Sequence, residues 1–380
     1  MLKFSLAVAL IAVSATFTFA QAPSKVHQPT LTPETSGTTQ LLIAVSPVNE
    51  QVVWAAGTGG TYVVTTDGGN TWKHGVVPGT ADFQFRDVQG VSDKIAYVMS
   101  IGNYAPSFRI YKTIDGGHTW TKEFENAMKG AFYDCFSFWT PDRGITHSDS
   151  VKGVFPDIRT TDGTTWESIS LNMPPALPGE ASFSASGTCI ATEGKQNAWI
   201  TTGGSTIARI LATRDGGNTW NAYDTPLFSS PSAGGISVAF RDSRHGVLGG
   251  GDLSNNSSAQ VATSDDGGQT WNLTTTPPVQ GAIFCLALVT GGGHNGYAVG
   301  YDEDADQERD HDHDRDYDRA VVVTSETEPN YNSGDAAWTP DFGQTWYQIP
   351  GASGYWAVAF ASPHAGWFVG NNGQILKISF

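Results

Sequence analysis

Thr65-Thr66-Asp67-Gly68-Gly69-Asn70-Thr71-Trp72 is the first of six copies of one phrase, Ser/Thr-x-Asp-x-Gly-x-Thr-Trp. The others end at Trp120, Trp166 (in a shortened copy, Thr160 to Trp166), Trp220, Trp271 and Trp346. The closing tryptophans stand 48, 46, 54, 51 and 75 residues apart. One tight turn recurring about every 40 to 50 residues marks the blades of a β-propeller.

The phrase has a mechanical reading. Gly68 and Gly69 supply the positive φ angles of a reversing turn, and Asp67 can fold its carboxylate onto nearby amides as an Asx-turn does. The tryptophan then opens the next strand with its indole available for packing. Each copy is therefore expected between the third and fourth strands of a blade. Six such turns spread round a ring cannot converge on one site, so Asp67, Asp115, Asp162, Asp215, Asp266 and Asp341 read as structure, as do Trp72, Trp120, Trp166, Trp220, Trp271 and Trp346.

Outward from each box the remaining strands of a blade follow. Before the second box lie Phe85 to Ser100 and then Phe108 to Thr113; before the fifth lie Ile236 to Gly250 and Ala259 to Ser264. Trp54, Tyr97, Trp199, Tyr297 and Trp367 fall in the expected second strands. After the sixth box come three strands and no seventh box. The outer strand of the last blade is then expected from the stretch near Val26 to Thr32, where Pro29 and Pro33 suit an edge. The predicted fold is all-β: one seven-bladed propeller of four-stranded antiparallel blades over residues 21–380, closed by the N-terminal strand, with about 51 residues per blade.

Residues 1–20 read as a secretory signal peptide: Lys3, an apolar run from Phe4 to Ala20, and small residues around the cut. The mature chain is expected to be secreted or periplasmic, monomeric and without a membrane insertion. Of the three cysteines, Cys135 and Cys189 fall on the inner strands of neighbouring blades three and four, and Cys285 on blade six. Two readings stand: three buried thiols, or a Cys135–Cys189 disulfide in an oxidising compartment.

The net charge of −16 is concentrated between Asp302 and Arg319, where ten acids against three arginines leave −7. This stretch explains the last, long spacing and reads as an insertion in blade six, between a second strand around Tyr297 and the run Ala320 to Ser325; which run forms the third strand is left open. The alternation Asp310, His311, Asp312, His313, Asp314 can offer oxygen and imidazole ligands to a divalent cation, or form a solvated loop. No other cofactor is expected. The acidic balance argues against nucleic acid and anionic membrane as partners.

The boxes, the ending from Gly366 to Ser379 and the blade count together resemble the Asp-box (BNR) repeat superfamily. Within it they look most like the secreted bacterial relatives of the photosystem II stability/assembly factor, whose members carry labels such as oxidoreductase or glycosyl hydrolase. The resemblance implies a propeller fold over essentially the whole mature chain. It leaves function open, because sialidases, xyloglucan hydrolases and sorting receptors share the boxes.

A sialidase would carry an early Phe-Arg-Ile-Pro and three arginines for the substrate carboxylate. Here Phe108 to Tyr111 reads Phe-Arg-Ile-Tyr and leads into the second box, and Arg109, Arg159, Arg209 and Arg214 sit at third strands or boxes. A glycosidase carboxylate pair is defined by spatial separation, with Asp87, Asp134 and Glu193 as candidates. The glycines after Val53 join two strands and open no helix, so a dinucleotide fingerprint is lacking. The expectation is a non-catalytic propeller that binds a protein partner at the loop-bearing mouth of its channel, with an extracellular glycan hydrolase as the alternative. Arg86, Asp87, Asp134 and Arg241 are the candidate partner contacts, or else inter-blade ion pairs.

Overall fold

The computed structural model describes residues 28–101, 108–256, 258–289, 321–326 and 334–380. Among these the chain forms seven four-stranded antiparallel sheets. Six blades are consecutive in sequence, beginning with β2 to β5 (Leu42–Pro47, Val53–Gly57, Thr61–Thr65, Lys73–Val76). The inner strands are β2, β6 (Gln84–Gly90), β10 (Tyr133–Thr140), β14 (Ile190–Glu193), β18 (Ala233–Phe240), β22 (Ala282–Leu288) and β26 (Tyr355–Ser362). Each packs on the next and β26 packs on β2, so the ring is closed. Inner strands are buried on both faces, so they lack the alternation of a half-exposed strand, and polar residues on them such as Asp87, Gln89 and Ser137 are buried as well.

The seventh blade has the order β1–β28–β27–β26, with β27 spanning Ala365–Gly370. Its edge strand β1 (Thr30–Thr35) pairs antiparallel with β28 (Gln374–Ser379) from Thr30↔Ser379 to Thr35↔Gln374. The expected closure is thus present, a few residues downstream of the predicted stretch. Pro33 stands opposite Leu376 on a strand with one open side, where its missing N–H costs no ladder bond.

In the six blades that carry a box, the third strand ends on the first residue of that box: Thr65, Thr113, Thr160, Thr213, Ser264 and Thr339. In the first box, Asp67 Oδ1 accepts from Thr65 Oγ1 (2.8 Å) and the Thr71 amide (2.9 Å), and Oδ2 from Thr71 Oγ1 (2.6 Å). The carboxylate thus reaches four residues on, further than a simple Asx-turn. Hydrogen bonds from Thr119, from both its side chain and its backbone, hold the equivalent Asp115 carboxyl down to about 2. In the sixth box Phe342 replaces the first glycine and still adopts φ 55°, with the Arg241 guanidinium 5.5 Å from its ring. We expect Asp215→Ala to cost about 1–2 kcal/mol, read from chemical denaturation, since it removes a turn anchor bonded to Thr213, Asn218 and Thr219 that water can partly replace.

One expectation needs correction. The second strand of blade six is β23 (Val321–Glu326), paired with β22, and the third is β24 (Ala336–Thr339). The third strand must run directly into the box, and Ala336–Thr339 alone does so. The acidic insertion therefore falls between the first and second strands; Tyr297 and the Asp310 to Asp314 alternation lie outside the described residues.

Cys135 and Cys189 form the disulfide, with Cα atoms 6.0 Å apart, linking blades three and four. Cys285 is a buried thiol donating to Val358 O (3.3 Å), and burial pushes it up to about 11.

Candidate functional site

Antiparallel pairing decides which loops meet. First and third strands run one way and second and fourth strands the other. The boxes close third strands, so they share one face of the ring with the turns that follow inner strands. The opposite face collects the starts of inner strands, the ends of second strands and the connections arriving from the preceding blade.

On that opposite face, at the channel mouth, lies a cavity of about 260 Å³ whose walls include Arg86, Asp134, Asp149, Phe183, Phe284 and Trp356. Arg86 and Asp134 stand near the starts of β6 and β10, and Trp356 near the start of β26. Asp149 follows β11 (Arg143–Ser148), the second strand of blade three. Phe183 to Ala185 belong to the long connection into blade four, which folds back across the mouth. Two contacts hold it there: the Ser182 amide donates to Asp149 Oδ1 (3.0 Å), and buried Glu180 pairs with Arg209. Arg86 Nη1 donates to Ser184 O (2.9 Å), and the guanidinium lies 5.3 Å from the Trp356 ring.

Asp134 is 1% exposed, and its buried Oδ2 has no donor beside it, only the acid Asp149. Its carboxyl adjoins that of Asp149. Burial first, and then the neighbouring Asp149 charge, raise Asp134 well above the usual carboxylate range; burial likewise raises Asp149. Two acids in one low-dielectric pocket resist ionising together, so the pair holds a proton where exposed aspartates would not. Beneath them His147 Nδ1 meets Asp157 Oδ2 at 2.8 Å, both fully buried.

The four candidate contacts are not brought together as a set. Arg86 and Asp134 share the mouth cavity. Asp87, on the same strand as Arg86, is 0% exposed and accepts from the Phe136 amide (2.8 Å), which ties blade two to blade three. A bulge at Arg86, between the pairs Phe85↔Ser100 and Asp87↔Met99, explains why the two neighbours part company here. Arg241 follows the end of β18, on the box face, where it bonds Asp242 (3.0 Å) and His245 (3.0 Å). Glu193 lies at the far end of β14 and accepts from Asn197 Nδ2 (2.6 Å). The three carboxylates considered as a hydrolytic set therefore occupy separate places.

A wider cavity, about 580 Å³, lies on the box face between blades five and six, against His245, Asp265, Leu273 and Phe342. Its box carboxylate, Asp341, is saturated by Thr339 and Thr345. The mouth cavity, with a buried pair of acids and aromatic walls, is the better candidate despite its smaller size. Among the described residues no cluster of three or more acid, histidine or cysteine side chains could hold a metal, and no helix is long and apolar enough to cross a membrane.

Sequence reasoning did not find Asp149, Phe183 or Trp356. Trp356 follows a glycine and an aromatic at the head of an ordinary inner strand and carries no mark of its own. The one available signal was the 54-residue spacing from Trp166 to Trp220, which leaves extra chain for the connection that covers the mouth.

No protein-family model matches the chain, and no curated protein does. Solved structures do. YCF48 bound to a D1 peptide superposes with TM-score 0.61 at 16% identity, covering 94% of this chain and 96% of that one. YCF48 from Cyanidioschyzon merolae gives 0.59 at 14%, covering 92% and 98%. The likeness is one of fold. The architecture expected from the boxes is the one found. The GH74 xyloglucanase from Xanthomonas campestris gives 0.56 at 12% identity, covering 91% of this chain and 53% of that chain.

Proposed function

We propose that the chain is a secreted, non-catalytic propeller that binds an extended segment of another protein at the channel mouth, in the manner of an assembly or stability factor. The observation that carries this reading is the mouth cavity itself: a preformed recess, walled by Arg86, Phe183 and Trp356, with a buried pair of adjoining acids, Asp134 and Asp149. A structural neighbour of the same architecture, YCF48, has been solved bound to a peptide, which supports this reading. Secretion rests on the apolar leader and accords with the disulfide.

The geometry weighs against glycan hydrolysis. A glycosidase separates its two carboxyls by about 5 to 9.5 Å to fit the sugar and, where needed, a water. Asp134 and Asp149 instead adjoin, and Glu193 lies at the other end of the ring.

Selection from a displayed random 12-residue peptide library against residues 21–380 tests the reading. The expected outcome is a consensus whose affinity falls about tenfold or more, about 1.4 kcal/mol, in Ser184→Trp, which fills the cavity, while the melting temperature holds. Absence of any Ser184-dependent binder, or turnover of xylo-oligosaccharides, would overturn it.

A further inference from the structure

Resting on the peptide-binding reading above, we propose that the mouth cavity recognises a lysine side chain of the bound segment, with Asp134 and Asp149 as counter-charges to its ammonium group and Phe183 and Trp356 beside its methylene stem. Three observations converge on this ligand. Asp134 Oδ2 is buried in the cavity wall, and the one polar group beside it is a second acid, Asp149, which can satisfy it only while the pair keeps a proton. With both acids ionised, they set two negative charges against the one positive charge of Arg86, so a single cation brings the cavity to neutrality. The aromatic walls suit a slim apolar stem that ends in a charge.

The unliganded pair is costly to the fold. A folded-state pKa above the ordinary aspartate value contributes stability below that value, and the contribution is lost as pH rises toward the raised one. Asp134 is faced by Asp149, by Asp157 and His147 of the layer beneath, and by Arg86 across the cavity. The buried His147–Asp157 contact leaves Asp149 as the group whose charge Asp134 meets most directly. A pair that disfavours folding at neutral pH, yet lies open to a cavity, has the character of a ligand site rather than of a structural tie. An arriving ammonium group would favour the ionised pair and displace its proton into buffer. Affinity should therefore rise with pH.

Isothermal titration with acetyl-Ala-Ala-Lys-Ala-Ala-amide and its norleucine counterpart tests this, in two buffers of different ionisation heat. Expected results are a preference for lysine of about tenfold or more, tighter binding at pH 8 than at pH 5, and buffer-dependent heat that reports proton release. Asp134→Asn should abolish the preference while its melting temperature at pH 8 stays level or rises, because the amide can donate to Asp149. Equal affinity for the two peptides, saturation by neither, or a lysine preference that survives Asp134→Asn would each overturn the assignment. The broader peptide-binding reading falls only if the library selection also returns no Ser184-dependent binder.

Discussion

Removing residues 23–36 while keeping the leader is expected to destabilise the ring by about 3–5 kcal/mol and to drive it toward aggregation. The loss combines the β1–β28 ladder, the Ser36 Oγ bond to Gly373 O (2.6 Å) and the Trp72 Nε1 bond to Glu34 Oε2 (2.9 Å), at about 1 kcal/mol per bond, offset by the regained freedom of the segment. What remains is an unpaired edge on β28, where Ile375, Leu376 and Ile378 are buried in the intact protein. Thermal unfolding with light scattering reads both effects. An unchanged melting temperature would show that closure does not depend on β1.

Replacing Trp199 by alanine should cost about 3–5 kcal/mol, the range for truncating a buried aromatic. Trp199 is 0% exposed, stacks on Phe240 of the next blade with centroids 3.5 Å apart and planes at 3°, and donates Nε1–H to Gly267 O (2.8 Å). Its loss opens a cavity between blades four and five and deprives a box carbonyl of one of its donors. Trp220→Ala, at a box indole 6% exposed with no hydrogen bond from Nε1, should cost less. Urea denaturation separates the two. Equal costs would mean that second-strand tryptophans are no more central to blade packing than box tryptophans.

The architecture was legible because its signal is repeated and local. A glycine pair beside an aspartate and a tryptophan reports a turn wherever it occurs, and six copies at regular spacing report a ring. Even blade six was legible in outline. Its strand order was not, because apolar runs on either side of a long insertion look alike until the requirement that the third strand enter the box is imposed. The candidate site was half legible. Arg86 and Asp134 were marked as charges at the heads of apolar strands, but the adjacent Asp87 carried the same mark and turned inward. Which side of a strand faces the channel depends on a register that a bulge between Phe85 and Asp87 shifts, and a bulge leaves no trace in composition. Asp149 reaches Asp134 through the β10–β11 pairing, which sets Tyr133 opposite Ser148, whereas Trp356 lies 222 residues from Asp134 in the chain and only closure of the ring brings it to the cavity.

The central claim is that a protein segment binds at the channel mouth, on the face opposite the boxes. Hydrogen-exchange mass spectrometry of the protein with and without a library-selected peptide tests it most directly. Added protection is expected at the start of β6 around Phe85 to Val88, around Phe132 to Asp134, at Ser182 to Ala185 and around Trp356, with the box turns unchanged. Protection confined to the box face, around His245, Leu273 and Phe342, would contradict it.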